Sequence, residues 1–245
     1  EPANLAFRES RAVALVADGQ FKLALADHQV MVRARPEEPA VYIARGQAFV
    51  AAGMEDGALD DFDRTIELNR RYPAGYENRG ALYLSRGLYD QAIADLNTAI
   101  RLNPGSVGAY VNRGAAHHNS GAYEAALADF DAAIGLDATA ADAHASRGTT
   151  HQQLGRLDDA LADLSEAIRL NPTVEASFAR ALVYAQLGHH AAAAADLDSV
   201  LQINRTHAAA YLNRGIARME LGEIDGAMSD FDQAVLHMPG SAAAY

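Results

Sequence analysis

The feature that most constrains this chain is a glycine that recurs at a nearly constant interval. Successive copies lie 34 residues apart, except that Gly188 follows Gly155 by 33. The seven positions are Gly19, Gly53, Gly87, Gly121, Gly155, Gly188 and Gly222. A fixed period of this length indicates a stack of similar units, each of which contacts only its neighbours.

Each period contains two helical stretches on either side of the glycine. In the clearest copy, small and apolar residues recur three and four positions apart from Tyr110 to Ser120 and again from Tyr123 to Leu136. That spacing gives each helix one buried face. We expect Gly121 to end the first helix, since glycine adopts the left-handed closing conformation without steric cost. Neither helix can bury its face alone, so the pattern predicts an all-α solenoid.

The repeat boundaries follow from this register. The fifth repeat is one residue short in its closing turn, and we expect that deletion to change the angle at which the sixth repeat stacks. Because the repeats contact only their neighbours, a single elongated array over 1–245 is expected. The repeats run approximately over 5–38, 39–72, 73–106, 107–140, 141–173, 174–207 and 208–241, and 242–245 look like the start of an eighth.

An arginine in the first helix of every repeat is followed sixteen residues later by an aspartate in the second helix. Since the two helices are expected to be antiparallel, the side chains can meet. We predict a partly buried, bidentate ion pair within each repeat; a row of arginines that binds anionic ligands is the alternative. The pairs are Arg11/Asp27, Arg45/Asp61, Arg79/Asp95, Arg113/Asp129, Arg147/Asp163, Arg180/Asp196 and Arg214/Asp230.

The repeated residues resemble those of the tetratricopeptide repeat (TPR) family. The resemblance is carried by a glycine after the arginine, an aromatic early in the first helix, an alanine early in the second helix and a later large apolar residue. Examples are Gly80, Tyr76, Ala92 and Leu96. It implies about seven helical hairpins in a right-handed superhelix and a non-enzymatic scaffold for protein–protein interaction. Family members commonly have leucine and an aromatic where this chain has arginine and aspartate.

The resemblance also implies a binding groove lined by the first helices. Asparagine before the arginine suits that groove, because an amide offers a donor and an acceptor to a peptide group. No Lys or Arg occupies this face, so the carboxylate clamp of TPR co-chaperones is not expected. The resemblance implies that this concave groove binds an extended peptide or a helix of a partner. The favoured prediction is an extended segment, neutral or basic, with an apolar side chain anchored near repeats six and seven. The candidate residues are Asn78, Asn112, Asn213, Ser146, Asn119, Gln153, Phe178, Leu182, Leu212 and Ile216.

Three histidines form a candidate cluster. His117 and His151 occupy the same first-helix position in adjacent repeats, and His144 precedes His151 by seven residues on one helical face. Imidazoles that meet can bind a metal ion. The favoured interpretation is that they replace packing aromatics, so no metal or other cofactor is predicted.

Composition excludes several functional classes. The net charge of −12 argues against a nucleic-acid groove, which needs clustered Lys and Arg. No apolar run reaches the length of a membrane helix. The absence of cysteine removes disulfides and thiolate nucleophiles but leaves the compartment open, cytoplasmic or periplasmic and secreted alike. Common enzyme motifs are missing, so catalysis is not expected.

Two other roles remain open at this point. The repeats can stack into homo-oligomers through the C-terminal end, where Ile224, Met228, Phe231 and Val235 lack a following repeat. The array can also be the recruiting arm of a larger protein, and a start at Glu1 without methionine is expected for a processed or shortened chain.

Overall fold

A computed structural model of the chain describes residues 2–237, with side chains from residue 4 onward. Within them the chain is all-α, which confirms the predicted class, and its fourteen helices correspond to two for each of seven repeats. The predicted start of an eighth repeat at 242–245 lies outside the described residues. The helices are α1 (Pro2–Ala17), α2 (Phe21–Ala34), α3 (Pro39–Ala51), α4 (Glu55–Leu68), α5 (Pro73–Ser85), α6 (Tyr89–Leu102), α7 (Val107–Asn119), α8 (Tyr123–Leu136), α9 (Ala141–Gln153), α10 (Leu157–Leu170), α11 (Val174–Gln186), α12 (His190–Ile203), α13 (Ala208–Glu220) and α14 (Ile224–His237).

The recurring glycine closes the first helix of each repeat. Gly53 has a φ of +69°, and the six equivalent glycines are also in the left-handed region. The N–H of the following Met54 donates to the Phe49 carbonyl oxygen at 2.8 Å. This bond satisfies a carbonyl that the helix end would leave unpaired, and a side chain at the glycine would strain the turn.

The shortened repeat shows its deletion between α10 and α11. Three residues separate Leu170 from Val174, whereas four separate α6 from α7. Thr173 ends the shorter turn, and its hydroxyl accepts a hydrogen bond from the Ala176 N–H at 3.1 Å. The hydroxyl caps α11, so the shorter connection still satisfies the start of the helix.

The chain divides into two compact units. The first, Glu1–Ala122, contains α1 to α7, in which each helix packs against the next. The first helices of its repeats also contact one another, α3 with α5 and α5 with α7. Phe62 and Leu96, from the second helices, are fully buried between them. The first helices therefore share one face of this unit.

The second unit, Tyr123–Tyr245, contains α8 to α14 and follows the same rules. Here α9 contacts α11 and α11 contacts α13, while Leu164 and Leu197 are buried at the position that Phe62 occupies. The single array over 1–245 stays a prediction. Within residues 2–237, no helix combines the length and apolarity needed to cross a membrane.

The glycine that follows the arginine allows the two helices of a repeat to approach closely. A Cβ atom built on Gly46 would lie 2.4 Å from Cε1 of Phe62. At Gly80 the corresponding distance, to Cγ of Leu96, is 2.8 Å. Both are shorter than non-bonded contacts permit, so the large side chain of the second helix requires a residue without a side chain opposite it.

Candidate functional site

The structure brings together six of the seven Arg/Asp pairs as parallel two-bond contacts. In the second repeat, Nε of Arg45 donates to Oδ2 of Asp61 at 2.8 Å, and Nη2 donates to Oδ1 at 2.6 Å. Arg113 and Asp129 belong to different units, and their pairing stays a prediction. The same geometry joins Arg11 with Asp27, Arg79 with Asp95, Arg147 with Asp163, Arg180 with Asp196 and Arg214 with Asp230.

The remaining guanidinium nitrogen reaches the preceding repeat. Nη1 of Arg79 donates to Asp63 at 2.5 Å, and Nη1 of Arg113 donates to Asn97 at 2.6 Å. The acceptor always lies on the second helix of the preceding repeat. It is two residues after the aspartate that pairs with the arginine of that preceding repeat. We call this series the arginine ladder: Arg45 to Gln29, Arg79 to Asp63, Arg113 to Asn97, Arg147 to Asp131, Arg180 to Ser165 and Arg214 to Asp198.

Aromatic rings lie beside the guanidinium groups of five arginines of the ladder, Arg45, Arg79, Arg113, Arg180 and Arg214. The Cζ atom of Arg79 lies 6.0 Å from the ring centroid of Tyr76 and 5.9 Å from that of Tyr83. The hydrogen bonds that Arg79 donates to the Asp95 carboxylate raise the pKa of Arg79. Arg79 already donates to the carboxylates of Asp95 and Asp63, so an added anion would meet a net negative charge at this arginine. The ladder therefore serves the fold, and an anion-binding row is disfavoured.

The asparagines before the ladder arginines are partly engaged. Nδ2 of Asn78 donates to the Ala74 carbonyl oxygen at 2.8 Å, and its Oδ1 accepts from Nε2 of Gln47 at 3.1 Å. In the second unit, Nδ2 of Asn213 donates to the Ala209 carbonyl oxygen at 2.8 Å. An amide nitrogen carries two hydrogens and an amide oxygen accepts twice. Each asparagine therefore keeps a donor and an acceptor for a ligand.

Two cavities open between consecutive first helices in the first unit. One, of about 230 Å³, lies between α1 and α3 and has His28 of α2 in its lining. The other, of about 220 Å³, lies between α3 and α5, with Asn78 at its edge and Phe62 of α4 in its lining. His28 and Phe62 occupy the same position in successive repeats. The repeat thus builds one kind of cavity twice.

A third cavity of this kind lies in the second unit, between α9 and α11. It measures about 340 Å³, is lined by Ser146 and includes Leu164, at the repeat position of Phe62. Asp142 and Glu175 contribute an exposed carboxylate from each side. Unlike the other two, this cavity has carboxylates in its lining.

The predicted apolar end of the groove is only partly accessible. The Phe178 ring packs against the His207 ring at 4.9 Å between centroids. Leu182 and Leu212 are half-buried, while Ile216 is 41% exposed. Ile216 is therefore the most accessible of the four. Among the polar candidates, Asn112 is half-buried, and Asn119 and Gln153 are exposed.

Two of the three candidate histidines face one ion pair. His144 Nδ1 lies 3.4 Å from Oδ1 of Asp163, and His151 Nε2 lies 3.8 Å from Oδ2. His117 belongs to the first unit, so the cluster of three stays a prediction. Across residues 2–237, no group of three His, Cys, Asp or Glu side chains is arranged to hold a metal ion.

A buried histidine of the first repeat was not singled out from the sequence. His28 is 4% exposed, and its Nδ1 has no hydrogen-bond partner among the described residues. The signal in the sequence was an exception within the repeat, because the other six copies have a large apolar residue at this position. These are Phe62, Leu96, Phe130, Leu164, Leu197 and Phe231.

We expect His28 to make the first repeat sensitive to acid. Burial lowers its pKa below the ordinary 6.5; Arg45 acts in the same direction, and Asp27, Asp61 and Glu9 oppose it. The unfolded chain thus binds more protons in the window just below 6.5. The free energy of unfolding should fall there as the pH decreases, by at most about 1.4 kcal/mol per pH unit. Urea unfolding of wild type and His28→Leu between pH 7.5 and 5 measures this; parallel pH profiles would contradict it.

Comparison with known proteins shows to which family the chain belongs. Two models described as tetratricopeptide repeat match residues 80–147 and 146–206, together just over half of the chain. The chain belongs to the tetratricopeptide repeat family. TPR proteins are typically non-enzymatic and act as scaffolds for protein–protein interaction.

Solved TPR structures share the fold. YrrB, described as a TPR protein with an unusual peptide-binding site, is 25% identical, with 76% of this chain and 97% of YrrB covered and a TM-score of 0.63. A protein from Parabacteroides merdae is 22% identical, with 98% and 95% covered and a TM-score of 0.70. The Cut9–Hcn1 assembly contains a chain that is 17% identical, with 100% of this chain and 48% of that chain covered and a TM-score of 0.82. No curated protein matches the sequence.

Proposed function

We propose that this TPR protein binds extended segments of protein partners on the first-helix faces of its units. The observation that carries the proposal is the cavity that recurs between consecutive first helices. Each cavity is large enough for one side chain, and asparagine or serine lies at the edge of two of them. A segment that places side chains in cavities and its backbone against amides would use both features.

Charge favours a neutral or basic partner. Asp142 and Glu175 flank the cavity of the second unit, and the chain carries a net charge of −12. A lysine or arginine side chain of the partner would meet two carboxylates there. Opposite charges of this kind raise the association rate and select against acidic segments.

The apolar side chain that anchors the partner would contact Ile216. Its exposed side chain lies on α13, next to the half-buried Leu212. Phe178 contributes less than the sequence suggested, since its ring already packs on His207. The similarity to YrrB supports the class of ligand, because that protein is described as having a peptide-binding site.

The asparagines provide the test. Peptides selected from a random display library on the wild-type chain would be measured against Asn78→Ala, Asn112→Ala and Asn213→Ala. Each lost hydrogen bond should cost about 0.5–1.5 kcal/mol, or about two- to twelvefold in Kd. Gln202→Ala, an exposed amide on the second helix α12, is the matched control and should bind normally. Unchanged affinity of all three asparagine variants would place the binding site elsewhere.

Self-association is a second candidate, favoured by the last described helix. Ile224 and Met228 of α14 are 53% and 61% exposed, whereas Phe231 and Val235 are half-buried. Contact of this apolar surface with a second copy would bury it. Sedimentation velocity across a dilution series should then show a dimer that Met228→Lys dissociates. A monomer at every concentration would contradict the proposal.

A further inference from the structure

The cavity between α1 and α3, here called the His28 cavity, differs from its two counterparts in one respect. Val13, Val16, Ala44 and Ala48 give it an apolar wall, as in the other cavities, and the exposed Gln47 also lines it. At the position where the others have Phe62 or Leu164, it has an imidazole. Within the described residues, Nδ1 of that imidazole is buried and unpaired.

We propose that the His28 cavity receives the phenol side chain of a tyrosine in the partner segment. This inference rests on the proposed function and adds a specificity to it. A buried polar atom without a partner is costly, and a ligand that pairs with it recovers that cost. The neutral imidazole offers either a donor or an acceptor at each nitrogen, and a phenol hydroxyl can match both.

The size and polarity of the His28 cavity favour tyrosine over other side chains. Its volume of about 230 Å³ is sufficient for a ring, since an apolar protein cavity of about 150 Å³ already holds benzene. Phenylalanine would fill the space but leave Nδ1 unpaired. A phenol combines an apolar ring with one hydroxyl group that can pair with Nδ1 of His28.

Charged side chains fit the His28 cavity poorly. A carboxylate would enter a region where Asp27, Asp61 and Glu9 already act on His28. An ammonium or guanidinium group would lose its hydration against valine and alanine side chains, with Arg45 close by. A neutral hydroxyl avoids both costs.

The test uses p-cresol and toluene as side-chain probes on the full chain, with ¹⁵N NMR of the imidazoles as the readout. We expect p-cresol to bind about tenfold more tightly than toluene and to shift the His28 Nδ1 resonance. In His28→Leu the two probes should bind with equal affinity. Ala44→Leu fills the cavity and keeps the histidine, so it should abolish binding of both probes. Ala81→Leu, which fills the neighbouring cavity, is the matched control and should change the affinity for neither probe.

Three results would overturn the proposal. They are equal affinities for the two probes in the wild-type chain, p-cresol binding that survives Ala44→Leu, and a His28 resonance that does not move. If His28→Leu fails to fold, the Ala44→Leu comparison decides alone. Because the probes need no peptide, a failure here leaves the asparagine test intact. Likewise, normal peptide binding by the asparagine variants leaves the phenol result intact.

Discussion

Replacing Asp95 with alanine should lower the free energy of unfolding by about 2–4 kcal/mol. The side chain of Asp95 is 11% exposed and accepts two hydrogen bonds from Arg79, at 2.7 Å and 2.8 Å. Its removal leaves a guanidinium group that is mostly shielded from water with only the half-exposed Asp63 as a carboxylate partner, and such a loss costs more than the pair itself contributes. Urea unfolding followed by circular dichroism measures the change.

Asp63→Ala is the matched control, because Asp63 binds the same arginine from the preceding repeat. Its side chain is 51% exposed, so water can take its place as a hydrogen-bond acceptor for Arg79. The free energy of unfolding should therefore fall by at most about 1 kcal/mol. Equal losses for the two variants would show that burial does not distinguish the contacts within a repeat from those between repeats.

Gly46→Ala should destabilise the protein by about 2 kcal/mol, although alanine favours helices. The added Cβ would lie 2.4 Å from Cε1 of Phe62, a ring that is fully buried and can move only by displacing its neighbours. Overpacking of this kind costs about 1–3 kcal/mol and outweighs the gain in helix propensity. The melting temperature would be measured by circular dichroism.

Gly135→Ala provides the comparison. Gly135 lies in α8, and a Cβ atom there meets nothing within 4 Å. The same substitution should stabilise the protein by about 0.5–1 kcal/mol, since only the conformational term remains. A gain at both glycines would mean that the helices of the second repeat can separate without cost.

The fold was predictable because each decisive residue recurs. One glycine would be ambiguous, but a glycine such as Gly53 in all seven copies fixes the period, and the period fixes two helices per unit. The Arg45/Asp61 contact followed from the same logic, since a constant separation across an antiparallel pair leads to a repeated contact.

Other features depend on packing that no single repeat contains. The bond from Arg79 to Asp63 joins two repeats, so the pattern of a single repeat does not contain it. The cavities need three helices, and their volumes follow from how closely those helices approach. The repeat register predicted that Phe178 would face the groove. Its ring instead packs against His207, which lies in the connection between α12 and α13.

The acceptors of the arginine ladder alternate between neutral and charged groups. Arg45, Arg113 and Arg180 donate to Gln29, Asn97 and Ser165. Arg79, Arg147 and Arg214 instead donate to Asp63, Asp131 and Asp198. All six bonds have a charged donor, but two opposite charges attract more strongly than a charged donor and a neutral acceptor, and salt weakens that extra attraction. We therefore expect dilute buffer to strengthen the contacts of repeat two with three, four with five and six with seven relative to the other contacts between repeats, and added salt to reduce that difference.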